Sequence, residues 1–184
     1  MPDPLGRFVS ACQAVNPVAA GLAYPPFTTG LRQETPLNSS PYVYRVDELD
    51  AEFGGSPRRR MLVATLVARL EALERAGIRA EMLLLGGSFL RRDREPGDID
   101  GLLVYSIDPA AESGARDRML EQCHREPRRD DVDLRLCPAD CHPLVLVKRT
   151  IFFSNLFSYD RESKGLERGI VLVLPSSPAG EMDA

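Results

Sequence analysis

Leu62, Leu66, Leu70 and Leu73 recur at helical spacing, with Arg69, Glu71 and Glu74 on other faces, which predicts a long helix. Ser56-Pro57 opens it as an N-cap followed by a first-turn proline, and Gly77 ends it. The pattern then changes period. "EMLLLG" (81–86) is short, apolar and bounded by glycine, the signature of a buried strand. "DIDGLLVYS" (98–106) predicts a second strand, and "DDVDLRLCP" (130–138), alternating acidic and apolar positions, a third. "GIVLVLP" (169–175) predicts the last. Helices are predicted over "PAAESGARDRMLEQCHRE" (109–126) and "HPLVLVKRTIFFSNLFSYD" (142–160). The sum is an α/β (α+β) domain over residues 42–184, with a small mixed sheet of about four strands flanked by helices.

Residues 1–41 differ. Prolines and glycines punctuate them without a clean period, so they read as a largely irregular N-terminal extension. Their charge is too low for a solvated disordered tail, and Tyr24, Phe27 and Leu31 are the expected anchors across the domain.

Composition narrows the class. At 184 residues, 43% hydrophobic and 27% charged, the chain fits one soluble domain with a sizeable core. No apolar run reaches a membrane span, and "MPDPLGRFVS" does not resemble a secretory signal, so a cytoplasmic protein with no membrane partner is expected. Cys12, Cys123, Cys137 and Cys141 then read as reduced thiols. The net charge of −4 argues against a long nucleic-acid partner. The arginine clusters at 58–60, 91–92 and 128–129 read as solvated surface patches.

The chemistry is concentrated in "LLLGGSFLRRDREPGDIDGLLVY" (83–105). Residues two apart on a strand point the same way, so Asp98 and Asp100 share a face while Ile99 turns to the core. Asp131 and Asp133 repeat the arrangement on the third strand. Carboxylates this close repel unless a divalent cation lies between them, and Mg²⁺ (or Mn²⁺) takes such oxygen ligands together with phosphates. The Gly86-Gly87-Ser88 turn allows backbone to approach a ligand, and amides at a following helix start would attract its phosphates. Metal plus polyphosphate is the physical reading.

Leu85-Gly86-Gly87 with Ser88, a ten-residue spacer, then Asp98-Ile99-Asp100 resembles the signature of the polymerase β-like nucleotidyltransferase superfamily. "RVDELDAEFGGSPRRRMLVATLVARL" and "YDRESKGLERGIVLVL" extend the resemblance, over roughly 44–174, to small stand-alone bacterial nucleotidyltransferase-like proteins. The resemblance implies a minimal nucleotidyltransferase fold and a two-metal mechanism. Asp98 and Asp100 would then hold metals on a nucleoside triphosphate. Asp133 would complete the metal site, with Asp131 as its substitute. Gly86, Gly87 and Ser88 would cradle phosphates, and Arg91 or Arg92 would steady the leaving pyrophosphate. A nucleoside monophosphate would pass to a hydroxyl-bearing acceptor: a small molecule, a protein or a tRNA end. The resemblance equally allows a non-catalytic module that binds a nucleotide or a toxin-like partner. Gly101, following the second aspartate, departs from the apolar residue usual there.

Other patterns carry less. Cys123-His124 and Cys137-x3-Cys141-His142 offer zinc-ligand types at a non-standard spacing, so buried thiols are the simpler expectation. "IFFSNLF" (151–157) reads as core or a homodimer contact rather than a base-stacking platform.

Overall fold

A computed structural model describes residues 3–17, 23–28, 35–160, 165–166 and 168–175. Along the chain run α1 (Pro4–Gln13), β1 (Tyr42–Arg45), α2 (Leu49–Phe53), α3 (Pro57–Arg75), β2 (Ile78–Gly86), β3 (Ile99–Ile107) and α4 (Ser113–Arg125). Beyond α4 come β4 (Arg128–Arg129), β5 (Val132–Pro138), α5 (Pro143–Ser158), β6 (Tyr159–Asp160), β7 (Gly165–Leu166) and β8 (Val171–Leu174).

The described residues form an α/β protein whose main sheet is open, mixed and six-stranded, in the order β1-β8-β2-β3-β5-β4. Strands β1 and β8 are parallel, as are β3 and β5; the other neighbours are antiparallel. Strands β6 and β7 form a separate ribbon. The sheet is wider than the four strands expected, because β1 and β4 are too short for a strand pattern to stand out in the sequence. Both are short edge strands, and β4 is only the two arginines 128 and 129.

Alternation along the strands sorts side chains into two layers. Leu83, Leu85, Leu103, Leu134 and Leu136 pack with Leu62, Leu66 and Leu73 of α3 and Cys123 of α4. Leu84, Leu102, Val104 and Cys137 face the other way, against Phe157 of α5. Helix α3 starts as expected: Ser56 Oγ accepts a hydrogen bond from the Arg59 amide at 3.3 Å, and Pro57 occupies the first turn.

Residues 4–13 are helical where an irregular extension was expected. Pro4 stands at a first-turn position, where its missing N–H costs nothing, and Asp3 accepts hydrogen bonds from the Leu5 and Gly6 amides at 3.0 and 2.8 Å. Val9 and Cys12 then pack on Val43 of β1. Tyr24 packs against the core as expected, whereas Phe27 is exposed and Leu31 lies outside the described residues. Among the described residues no helix is long and apolar enough to cross a membrane.

Candidate functional site

Strand pairing lines up one lateral row across four strands. Gly86 of β2 is the register partner of Asp100 of β3, Asp100 of Asp133 of β5, and Asp133 of Arg128 of β4. Partners in register share a face, so the row lies on the α5 side of the sheet. Asp98 precedes β3, and Arg128 reaches it at 2.7 Å. Arg135, two residues along β5 from Asp133, places Nε 2.9 Å from Asp133 Oδ1. The structure thus brings together Asp98, Asp100 and Asp133, the expected carboxylates, and adds two arginines.

Asp100 has the least help. Burial, then the nearby Asp98 and Asp133 carboxylates, push its pKa up from 3.8 to about 6, against the pull of Arg128 and Arg135. Asp133 Oδ1 is buried and receives no hydrogen bond, since Arg135 Nε approaches it outside donor geometry. Asp98, Asp100 and Asp133, one hard to ionise and one with an orphaned oxygen, are oxygen ligands of the type a hard divalent cation takes. In this conformation the arginines occupy the flanks instead. Among the described residues, no group of three or more His, Cys, Asp or Glu is drawn close enough to hold a metal ion.

Each glycine of the turn has a packing reason of its own. Gly86 lacks a Cβ because Phe157 of α5 fills that space, so its role is helix-to-sheet approach. Gly87 has φ +68°, and a side chain there would strike the Asp100 carboxylate. Beyond Gly86 the chain makes one 3-10 turn, Gly87–Leu90, instead of the helix start expected to supply anion-binding amides. Ser88 Oγ lies 3.5 Å from Asp98 Oδ1, at the limit of a hydrogen bond. Gly101 is wedged between Leu83, Leu85 and Leu134, which explains its place after the second aspartate as core packing.

Other expected site residues lie elsewhere. Asp131 is not on the strand face with Asp133. It succeeds Asp130 in the two-residue turn between β4 and β5, with φ 63° and 53° respectively, and pairs with Arg58 at 2.8 Å. The turn breaks the alternation that a continuous strand would have given. Arg91 forks onto Asp93 through two bonds of 2.7 Å and stacks 5.0 Å over Tyr24. Arg92 pairs with Glu52 and stacks on Phe53. It lines a cavity with Arg59 and Glu95, whereas Asp100 and Asp133 line another under α5.

Sequence reasoning missed the arginines that build the site. Arg59 is 6% exposed and donates to the Phe89, Arg91 and Arg94 carbonyls, so it holds the loop joining the glycine turn to Asp98. Burial lowers its pKa below the usual arginine value, an effect partly countered by Glu95. Arg58 grips Gly97 and Asp131 beside it. These cluster members are structural ties rather than solvated patches. Their partners lie 30 or more residues away, so only a proline-containing, polar loop hinted at the need for them. Of the possible zinc ligands, His142 Nδ1 accepts the Leu144 amide at 3.1 Å as the α5 cap, and Cys123 is buried in the core. Cys137 and Cys141 hold their sulfurs 3.9 Å apart.

Fold and site together define an α/β protein with a carboxylate-and-arginine row at one end of an open mixed sheet. The chain belongs to a family described as a family of unknown function (DUF6932), whose match spans residues 25–174. Neither the curated proteins nor the solved structures include a match to it.

Proposed function

We propose that this protein is a Mg²⁺-dependent nucleotidyltransferase of the polymerase β-like kind. It would move a nucleoside monophosphate from a nucleoside triphosphate to a hydroxyl-bearing acceptor. The observation that carries this reading is the register Gly86–Asp100–Asp133, which sets the glycine turn beside paired carboxylates on adjacent strands.

Asp98, Asp100 and Asp133 would hold the divalent cation, which when bound supplies charge neutralisation for a triphosphate. Gly87 keeps the backbone open beside Asp100, and the Arg59-held loop fixes Asp98 relative to the turn. In the transfer, the acceptor oxygen forms a bond to the α-phosphorus and the α–β bridging P–O bond breaks, releasing pyrophosphate. The hydroxyl proton would pass to the Asp133 carboxylate, which would release it to water. Positioning and charge stabilisation carry most of the rate in such displacements.

The test is thermal unfolding with each nucleoside triphosphate, with and without Mg²⁺, on wild type and Asp98→Ala/Asp100→Ala. A ligand bound only by the native state adds about 2.7 kcal/mol at a hundred times its dissociation constant. A Mg²⁺-dependent upward shift confined to wild type is expected. Cooperative unfolding with no shift for any nucleotide would overturn the reading.

One feature favours a second reading, a partner-binding module of the antitoxin-like kind or a homodimer. Helix α5 exposes Leu144, Val147 and Ile151, 50% or more of each, while Arg128 and Arg135 already neutralise carboxylates from within the chain. Full biological effect in the Asp98→Ala/Asp100→Ala variant would select this reading.

A further inference from the structure

Helix α5 does more than cover the sheet. Between it and the carboxylate row lies a cavity of about 300 Å³, a size typical of small-ligand sites. Asp100, Asp133 and Arg135 form its polar floor, and Phe152, Phe153 and Leu156 form its apolar wall. The wall is a run of rings: Phe152 meets Phe153 edge-on at 5.2 Å, and Phe153 meets Phe157 at 5.6 Å. Phe157 is anchored over Gly86, which fixes the wall relative to Asp100.

We propose that this cavity is a nucleobase subsite, with Phe152 as its stacking face. The inference rests on the nucleotidyltransferase reading and deepens it. Phe152 is 59% exposed although it stands next to an enclosed, buried layer of the same helix. An occupant of this space must satisfy both sides. A wholly apolar group would desolvate Asp100, Asp133 and Arg135 without replacing their hydrogen bonds, which is costly. A wholly polar one would leave the rings in water. A nucleobase has a flat π face for Phe152 and acceptor atoms on its edge for Arg135, while its attached phosphates would carry the cation to Asp100 and Asp133 and extend along the row toward Asp98 and the Gly87 turn. Stacking of this kind tolerates any base, so the wall supplies affinity more than base choice. In the sequence "IFFSNLF" looks like core or interface, because helical periodicity alone does not reveal which strand residues lie opposite a ring.

Phe152 acts in binding and touches no reacting atom, so its test is affinity. Binding of each nucleoside triphosphate and of inorganic tripolyphosphate, all with Mg²⁺, is measured by titration calorimetry on wild type, Phe152→Ala, Phe152→Tyr and Asp98→Ala/Asp100→Ala. Phe152 is exposed, so its replacement leaves the fold intact, which circular dichroism checks. Expected is a nucleotide bound tighter than tripolyphosphate in wild type. Phe152→Ala should weaken nucleotide by about ten-fold or more. It should leave tripolyphosphate unchanged, and Phe152→Tyr should keep the nucleotide advantage. If Phe152→Ala leaves that advantage intact, or weakens both probes alike, the subsite is wrong while the phosphate site stands. If neither probe binds wild type, or binding survives Asp98→Ala/Asp100→Ala, the nucleotidyltransferase reading fails and the subsite with it.

Discussion

Asp100 on β3 and Asp133 on β5 are register partners across a parallel ladder, on the face that α5 covers. Neighbouring strands cannot widen to separate them, so the repulsion between their carboxylates is fixed by the backbone. The protein answers with Arg128 at Asp98 and Arg135 at Asp133, while Asp100 has no ion pair of its own among the described residues. That imbalance has measurable consequences in the chain without any ligand.

Stability should depend on pH through Asp100. Its pKa is raised from 3.8 to about 6, so the folded state binds this proton more tightly than the unfolded state does. The stability contribution is full below about pH 4, falls as pH rises toward 6, and stays low above it. Asp100→Asn removes the penalty, and its midpoint should exceed that of wild type most clearly above pH 6. The advantage should shrink as pH falls toward 4. Thermal unfolding across pH 4–8 checks it, and a difference independent of pH would contradict the assignment.

Arg128 and Arg135 both pull the Asp100 pKa downward. Arg128→Ala should therefore move the Asp100 titration above about 6, and Arg135→Ala should do the same to a smaller degree. Carboxyl carbon NMR shifts against pH report this directly. An unchanged midpoint in both variants would mean that burial alone sets the value.

These same residues show how far the sequence reaches. The long helix α3 and the apolar strands β2, β3 and β8 lie where their patterns predict them, and the alternating β5 does so from Val132 onward. Asp98, Asp100 and Asp133 are legible because spacing on strands sets their face. Strand β4 is not, being two arginines at an edge, paired through a turn at Asp130-Asp131 that uses positive φ without glycine. That same turn removes Asp131 from the row. Helix α1 is hidden by Pro4 and Gly6, residues that weaken a helix interior but are tolerated in its first turn. The roles of Arg58, Arg59 and Phe152 depend on residues distant in the chain, and no local pattern encodes them.

The two adjacent glycines should fail differently. Gly86→Ala places a methyl group where the Phe157 side chain packs, an overfilling that costs about 1–3 kcal/mol. It should push α5 outward and lower stability with or without ligand. Gly87→Ala forces a side chain into a left-handed conformation and against the Asp100 carboxylate, so it should disturb the carboxylate row as well as the fold. Urea unfolding gives the stability loss for each. Carboxyl NMR should show Asp100 perturbed directly by Gly87→Ala, and equal perturbation by both variants would argue against the distinction.

Arg59 ties the loop between the glycine turn and Asp98 to α3 by donating to three carbonyls, those of Phe89, Arg91 and Arg94. Removing a buried, charged donor leaves acceptors unsatisfied, and Arg59→Ala should cost about 2–4 kcal/mol. Arg59→Lys should recover little, because one ammonium group cannot reproduce the planar fork that reaches all three oxygens. The loss should be local as well as global. Hydrogen exchange should accelerate over residues 89–97 more than in β2 or β3, since this loop is held by side-chain bonds rather than a strand ladder. Uniform acceleration across the sheet and loop alike would show that Arg59 supports the whole domain and not the loop that presents Asp98.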